Sequence, residues 1–306
     1  AKAALKIQTL YSAISHSITA FDITSGVTHD TNALPTMLNE LTENELFLAD
    51  LGYFDTAFLR KLQEKNFFIS RIKTNLKLYK AVSETYSIYE KLDLKELLSQ
   101  GSDSIDQQVY IGTESCNKLK VRLVGNKLSD EIATKRIKKA ILQNNGEDID
   151  SHKRQLLHWN LMITNISKET LNTSIITELY RIRWQIELLF KVLKSTLSLD
   201  KMQVGKTKYV EAILYGKLLG ALLTMPLYDS VDQNMLKNQG RGVSIQRFYT
   251  ILLVDLYQFY TLKRITMHTY EEFSNLIHRI GILALHEKRL RQTTYSRIEG
   301  YLEQLI

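Results

Sequence analysis

In the segment YRIRWQIELLFKVLK, residues 180–194, one carboxylate stands among cations and aromatic rings. Read as a single helix at about 100° per residue, Tyr180, Arg183, Lys191 and Lys194 all fall within about 40° of Glu187, with Trp184 on the shoulder at about 60°. Ile182, Leu188, Leu189, Val192 and Leu193 take the remaining arc. Two interpretations fit this stripe. One is a surface helix with Arg183–Glu187 and Glu187–Lys191 ion pairs at i,i+4 spacing. The other is phosphodiester chemistry, in which acidic residues hold divalent metals that activate water and stabilise a leaving oxygen. Lys and Arg would then clamp phosphates, and aromatic rings would stack on displaced bases.

A helix of this kind needs a scaffold, and the chain before it alternates between strand and helix signals. ALKIQTLYS and SITAFDIT read as short strands and SGVTHDTN as a loop. TNALPTMLNELT reads as a helix starting at Thr31 or Asn32, with Asp30 as its cap. ELFLAD is a buried strand ending in Asp50, with Gly52 just beyond it; helix TAFLRKLQEK and strand NFFISRIK follow. The pattern predicts a layered α/β core. Between about residues 75 and 165, VYIGTES, KLKVRLV and HWNLMITNI read as strands, GSDSIDQQ as a loop and Gly125-Asn126 as a turn. Period two sets Lys118, Lys120 and Arg122 on one sheet face, either solvated or in contact with phosphate. Beyond residue 200 the chain reads as at least three long helices.

The 306 residues carry 44% hydrophobic and 24% charged side chains, those of an ordinary globular protein, and a net charge of +7 that suits an anionic partner. The lone Cys116 builds neither an internal disulfide nor a thiolate zinc site and fits a reducing compartment. AKAALKIQTLYS lacks the pattern of a signal peptide. AILYGKLLGALLTMPLY is interrupted by Lys217 and is short for a membrane span, so a buried core helix is expected. Nucleotide-cradling glycine loops, a G-x-S-x-G elbow and a two-histidine zinc helix are all missing; HEKRL has no second histidine. The basic segment EKRLRQTTYSRIEGYL reads as a solvated helix face, or else as a dimer or DNA contact.

Tyr180, two residues, Arg183, three residues, Glu187, six residues, Lys194 matches the Y-(2)-R-(3)-E-(6)-K signature without deviation. In this the chain resembles the DDE transposases of the IS-four insertion-sequence group, to which the transposon-five enzyme belongs. FLADLGYFDTAFLRKLQEKNFFISRIK is similar to that family's second-aspartate block. The resemblance implies that Asp50 and Glu187 are catalytic and hold Mg²⁺ or Mn²⁺. It implies DNA contacts from Tyr180, Arg183, Lys191, Lys194 and the pair Arg71 and Lys73. Trp159 is similar in placement to a tryptophan that stacks on a flipped base, or is core in a sheet; Trp184 is a second candidate DNA contact, or a packing residue.

The fold so implied is an RNase H-like core interrupted by a largely β insertion domain and followed by a helical C-terminal region. Its parts would be residues 1–75 of the core, a β-rich insertion over 76–165, the glutamate helix over 166–205 and helices over 206–306. The family's first catalytic aspartate precedes the region resembling AALKIQTLYS, and neither Asp22 nor Asp30 stands in its place, so an N-terminally truncated chain is expected. The implied activity is metal-dependent cleavage and strand transfer of double-stranded DNA at transposon ends, by a homodimer in the bacterial cytoplasm, nucleoid-associated and without a membrane. A non-catalytic DNA-binding remnant or regulator of transposition is the alternative, and a related structure-specific nuclease is a third.

Overall fold

A computed structural model describes residues 5–112, 118–195, 197–198, 207–262 and 270–286. Cys116 and the EKRLRQTTYSRIEGYL segment lie outside these described residues. The chain divides into two compact units, one built on Asp22–Arg183 with the residues up to Gln8, the other on Thr9–Phe21 and the chain from Trp184 onward.

Strands β1 (Leu5–Ser12) and β2 (Ser17–Ser25) pair with each other. A 3-10 turn (Asp30–Ala33) then leads into α1 (Leu34–Glu40), which carries proline in its first turn. His29, not Asp30, caps that turn, its ring accepting from the Thr31 amide. The helix therefore begins later than Thr31 or Asn32, and Asp30 is left for another task.

The first unit is organised by a seven-stranded sheet. In chain order its strands are β3 (Leu46–Ala49), β4 (Phe67–Arg71), β5 (Leu78–Ser83), β6 (Ile88–Leu92), β7 (Ser104–Ile111), β8 (Leu119–Lys127) and β9 (Trp159–Thr164). In space they run β3-β4-β9-β8-β7-β5-β6. Only β3 and β4 pair in parallel, joined by α2 (Thr56–Leu62), whose cap Asp55 accepts from the Phe58 amide at 2.7 Å. Helix α3 (Leu94–Ser99) precedes β7, and α4 (Asp130–Gln143) and α5 (Ser151–Leu157) join β8 to β9. The strands expected in a separate insertion thus share one sheet with β3 and β4, because β9 returns antiparallel beside β4 with Ser70 opposite Ile163.

Two local expectations fail for the same reason, a demand made by a neighbouring strand. Residues 104–108 form ladder with β8 instead of a loop. Gly125 and Asn126 also stay inside β8, opposite Leu161 and Asn160 of β9. A Cβ on Gly125 would stand 2.5 Å from Leu161 Cδ2 and 3.1 Å from the Asn160 carbonyl oxygen, so the glycine marks a close approach of two strands.

Arg122 also departs from expectation. It is buried, not solvated beside Lys120, and forms a two-pronged pair with Asp106 at 2.7 and 2.8 Å. Its third nitrogen donates to the carbonyls of Ile166, Ser167 and Leu171, while Thr173, the first residue of α6 (Thr173–Arg181), donates its hydroxyl to Asp106 at 2.9 Å. A buried guanidinium with all three nitrogens engaged fixes geometry more than it adds net stability. Helix α6 lays Ile176, Leu179 and Tyr180 against Ile69, Val124 and Met162 of the sheet.

In the second unit α7 (Trp184–Ser195), α8 (Thr207–Gln239), α9 (Ile245–Leu262) and α10 (Tyr270–Ala284) follow one another. Val192, Tyr228, Val231, Met235, Phe248, Tyr249, Leu252 and Ile280 make their core. Helix α8 is buried on one face only: Leu214, Leu218, Ala221 and Met225 point inward while Leu219 and Leu223 are 56% and 71% exposed. By length and composition Lys208–Gln239 could cross a membrane, with mean hydropathy 1.4.

Two outcomes follow. Gly125→Ala should lower unfolding free energy by about 1–3 kcal/mol through overpacking against β9, read by chemical denaturation. The Arg122 hydrogen bonds hold the Asp106 carboxyl below its usual range against the opposing effect of burial. That contribution is present above the unfolded aspartate pKa of about 3.9 and disappears as pH falls through the lower folded value. Asp106→Ala should cost about 3–5 kcal/mol at neutral pH and abolish this acid-dependent loss.

Candidate active site

Asp50 stands where β3 ends, and its backbone and side chain start the turn that follows. One carboxylate oxygen accepts from the Leu51 amide at 2.8 Å, and the Asp50 carbonyl accepts from the Tyr53 amide at 3.0 Å, closing a 3-10 turn over Leu51–Tyr53. The other carboxylate oxygen lies 3.8 Å from an Arg183 guanidinium nitrogen, and the Asp50 side chain is 52% exposed. A half-exposed carboxylate with one oxygen tied to backbone keeps lone pairs for a further ligand.

Tyr180 and Arg183 reach this turn from the end of α6. The Tyr180 hydroxyl donates to the carbonyl of Ala49, the residue before Asp50, at 3.1 Å. The Arg183 guanidinium carbon lies 5.7 Å from the Tyr180 ring centroid. Burial, and then the negative charge of Asp50, push the Tyr180 phenol up to about 12 despite the opposing charges of Arg183 and Arg71, so it remains a neutral donor. Tyr180 is therefore an interior anchor of the Asp50 strand and not part of a solvent-facing stripe.

The single helix assumed over residues 180–194 does not form. Ile182 and Arg183 close i→i−3 bonds onto Leu179 and Tyr180 at 3.0 and 3.2 Å, ending α6 in a tightened turn, and α7 starts at Trp184. From Trp184 onward the expected segregation holds in part: Glu187, Lys191 and Lys194 are exposed and Leu189, Val192 and Leu193 buried, but Leu188, expected on the apolar arc, is exposed. Glu187 sits in the first turn of α7, and Trp184 is 57% exposed.

Arg71 ends β4, and Lys73 follows it. Lys73 donates to the Phe54 carbonyl at 3.2 Å, with its ammonium 5.3 Å from the Phe54 ring centroid, and so closes the far end of the Asp50 turn. Trp159 is 5% exposed at the start of β9, packed as core, where its ring offers no free face to a base. Arg136 of α4, not singled out by sequence, donates to the Trp159 carbonyl at 3.2 Å; its pKa is lowered by burial and then by the charge of Arg71. Among the described residues no group of three or more carboxylate, imidazole or thiol donors is gathered.

Residues 1–223 match the family model of the transposase DDE domain. The chain belongs to the DDE transposase family. It is 34% identical over 236 residues to the transposase of insertion element IS1151 from Clostridium perfringens, covering 72% of this chain and 50% of that protein. It is 28% identical to the IS231F transposase of Bacillus thuringiensis subsp. israelensis, over 98% of this chain and 66% of the relative. A putative IS4SA transposase of Synechocystis is 24% identical over 65% of this chain and 46% of its own length. The chain thus spans about half to two thirds of the length of these relatives. No solved structure matches it. The resemblance drawn from the tyrosine, arginine, glutamate and lysine spacing holds for the family.

Gln8 and Tyr53, which sequence reasoning passed over, and Asp30, which it read only as a helix cap, complete the surroundings of Asp50 in this DDE transposase domain. Gln8, Asp30 and Tyr53 form a hydrogen-bonded chain, and Gly52 lies against it. The Asp-x-Gly-Tyr run after a strand was the available signal. Tyr180→Phe, which removes the hydroxyl that donates to the Ala49 carbonyl, should cost about 1 kcal/mol in chemical denaturation without altering the far-UV spectrum.

Proposed function

We propose that this chain is part of a DNA transposase of a bacterial insertion sequence, whose intact form cleaves and joins phosphodiesters at transposon ends. The observation that carries it is the meeting of three family residues on one strand tip: Tyr180 on the Ala49 carbonyl and Arg183 facing the Asp50 carboxylate. Asp50 and Glu187 would be metal ligands. Exposed carboxylates are hard oxygen donors, suited to Mg²⁺ or Mn²⁺. Such a cation supplies Lewis-acid stabilisation of the charge that develops on phosphoryl transfer.

The remaining roles belong to the chain's own side chains. Arg183 balances the charge of Asp50 and orients phosphate beside it. Lys191 and Lys194, exposed on the glutamate helix, track the backbone of double-stranded DNA, and Arg71 extends that contact. Trp184 offers an exposed ring for stacking. Trp159 could stack only after leaving its packed position. In this proposal β3 and β4 belong to an RNase H-like core, β5–β9 to its β insertion and α8–α10 to the helical C-terminal region. Two copies would act on paired ends, in the bacterial cytoplasm.

In the intact transposase, Asp50→Ala and Glu187→Ala should each reduce cleavage of duplexes carrying the element's terminal repeats by a factor of about 10³ or more, with DNA binding retained. Cleavage at the unsubstituted rate would refute the assignment. Lys191→Ala and Lys194→Ala should instead weaken binding to any duplex and lower the slope of log affinity against log salt by about one each.

A further inference from the structure

The turn that carries Asp50 is gripped from the side by groups with no other evident use. Asp30 accepts from Lys6 at 2.9 Å and from Gln8 at 3.1 Å, both on the same oxygen, and Lys6 also reaches the Thr28 carbonyl at 2.8 Å. Gln8, 1% exposed, accepts in turn from the Tyr53 hydroxyl, whose phenol is pushed up to about 12 by burial and then by the charges of Asp30 and Asp50. The second oxygen of Asp30 lies against Gly52, where a Cβ would stand 2.5 Å from it and 3.4 Å from its Cγ. Aspartate is short, and here one oxygen is held by two donors, so it has little freedom to move aside. A cation and a buried amide on one carboxylate, with the amide in turn holding the Tyr53 phenol, brace the back of this three-residue turn.

We infer that Lys6, Gln8, Asp30 and Tyr53 form a positioning clamp that aims the Asp50 carboxylate, and that Gly52 is required because the clamp leaves no room for a side chain. This rests on the proposal that Asp50 is a metal ligand. Asp30 is thereby a positioning residue whose charge serves the turn without touching the substrate. The backbone of a turn at the end of a four-residue strand has few bonds of its own, so without the clamp the Asp50 side chain would sample orientations that a metal ligand cannot use.

The test compares Gly52→Ala, Asp30→Ala, their double variant and Asp50→Asn in the intact transposase, by hydrogen exchange of residues 51–54 and by the Mn²⁺ dependence of terminal-repeat cleavage. Gly52→Ala should speed exchange at least tenfold and raise the Mn²⁺ concentration for half-maximal cleavage at least tenfold. The double variant should be no worse than Asp30→Ala alone, since removing the carboxylate makes room for the methyl group. Asp50→Asn keeps an oxygen for the Leu51 amide, so it should retain slow exchange while losing cleavage. Unchanged exchange in Gly52→Ala, unchanged Mn²⁺ dependence, or losses that multiply in the double variant would overturn the clamp. Undiminished cleavage by Asp50→Asn, with exchange still fast in Gly52→Ala, would instead overturn the metal-ligand assignment and leave the turn mechanics standing.

Discussion

A charged group that must face solvent and still point in one direction needs an immobile backbone beneath it. Asp50 meets that requirement by capping its own turn, so that the Leu51 and Tyr53 amides are bound to it. The strand before the turn is held by Tyr180 through the Ala49 carbonyl, and the residue after it by Lys73 through the Phe54 carbonyl. Four segments distant in sequence converge on six consecutive residues. Each contact is worth little alone, but ordering a short turn in one geometry depends on their sum.

The position of Tyr180 is itself inherited. It ends α6, and α6 begins at Thr173, whose hydroxyl is bound to the Asp106 carboxylate that also holds Arg122. Because Arg122 gathers three carbonyls from residues 166–171, the connection between β9 and α6 has a single course. A cation in the middle of β8 thereby sets where the tyrosine and arginine of the family spacing arrive. Removing either charge would leave the other buried with an unbalanced field, which is why such pairs specify structure more than they stabilise it.

Much of this was legible in the residues. Strand β3 with Asp50 at its tip, helix α2, strand β4 and the apolar side of α7 follow from alternation, caps and helical periodicity, because each is decided by neighbours within a few positions. Helix α8 was legible only in part: periodicity marks its buried face, but nothing local says that Leu219 and Leu223 stay exposed. Gly125-Asn126 has the composition of a hairpin turn, yet the strand runs through it because β9 needs a neighbour without a Cβ.

The amino-acid sequence by itself determined the family, through four side chains at set spacing. It also marked several of the strands and helices, among them β3, α2, β4 and β9. Tertiary structure alone decided that the run from Tyr180 to Lys194 breaks at Ile182–Arg183, where neither glycine nor proline marks a stop. It alone buried Arg122 on Asp106, gave Asp30 to Lys6 and Gln8 instead of a helix cap, and decided for Trp159 the core position over the exposed one. The physical reason is range. Helix and strand preference are settled by adjacent residues, whereas the burial of a charge or a ring depends on partners tens of residues away.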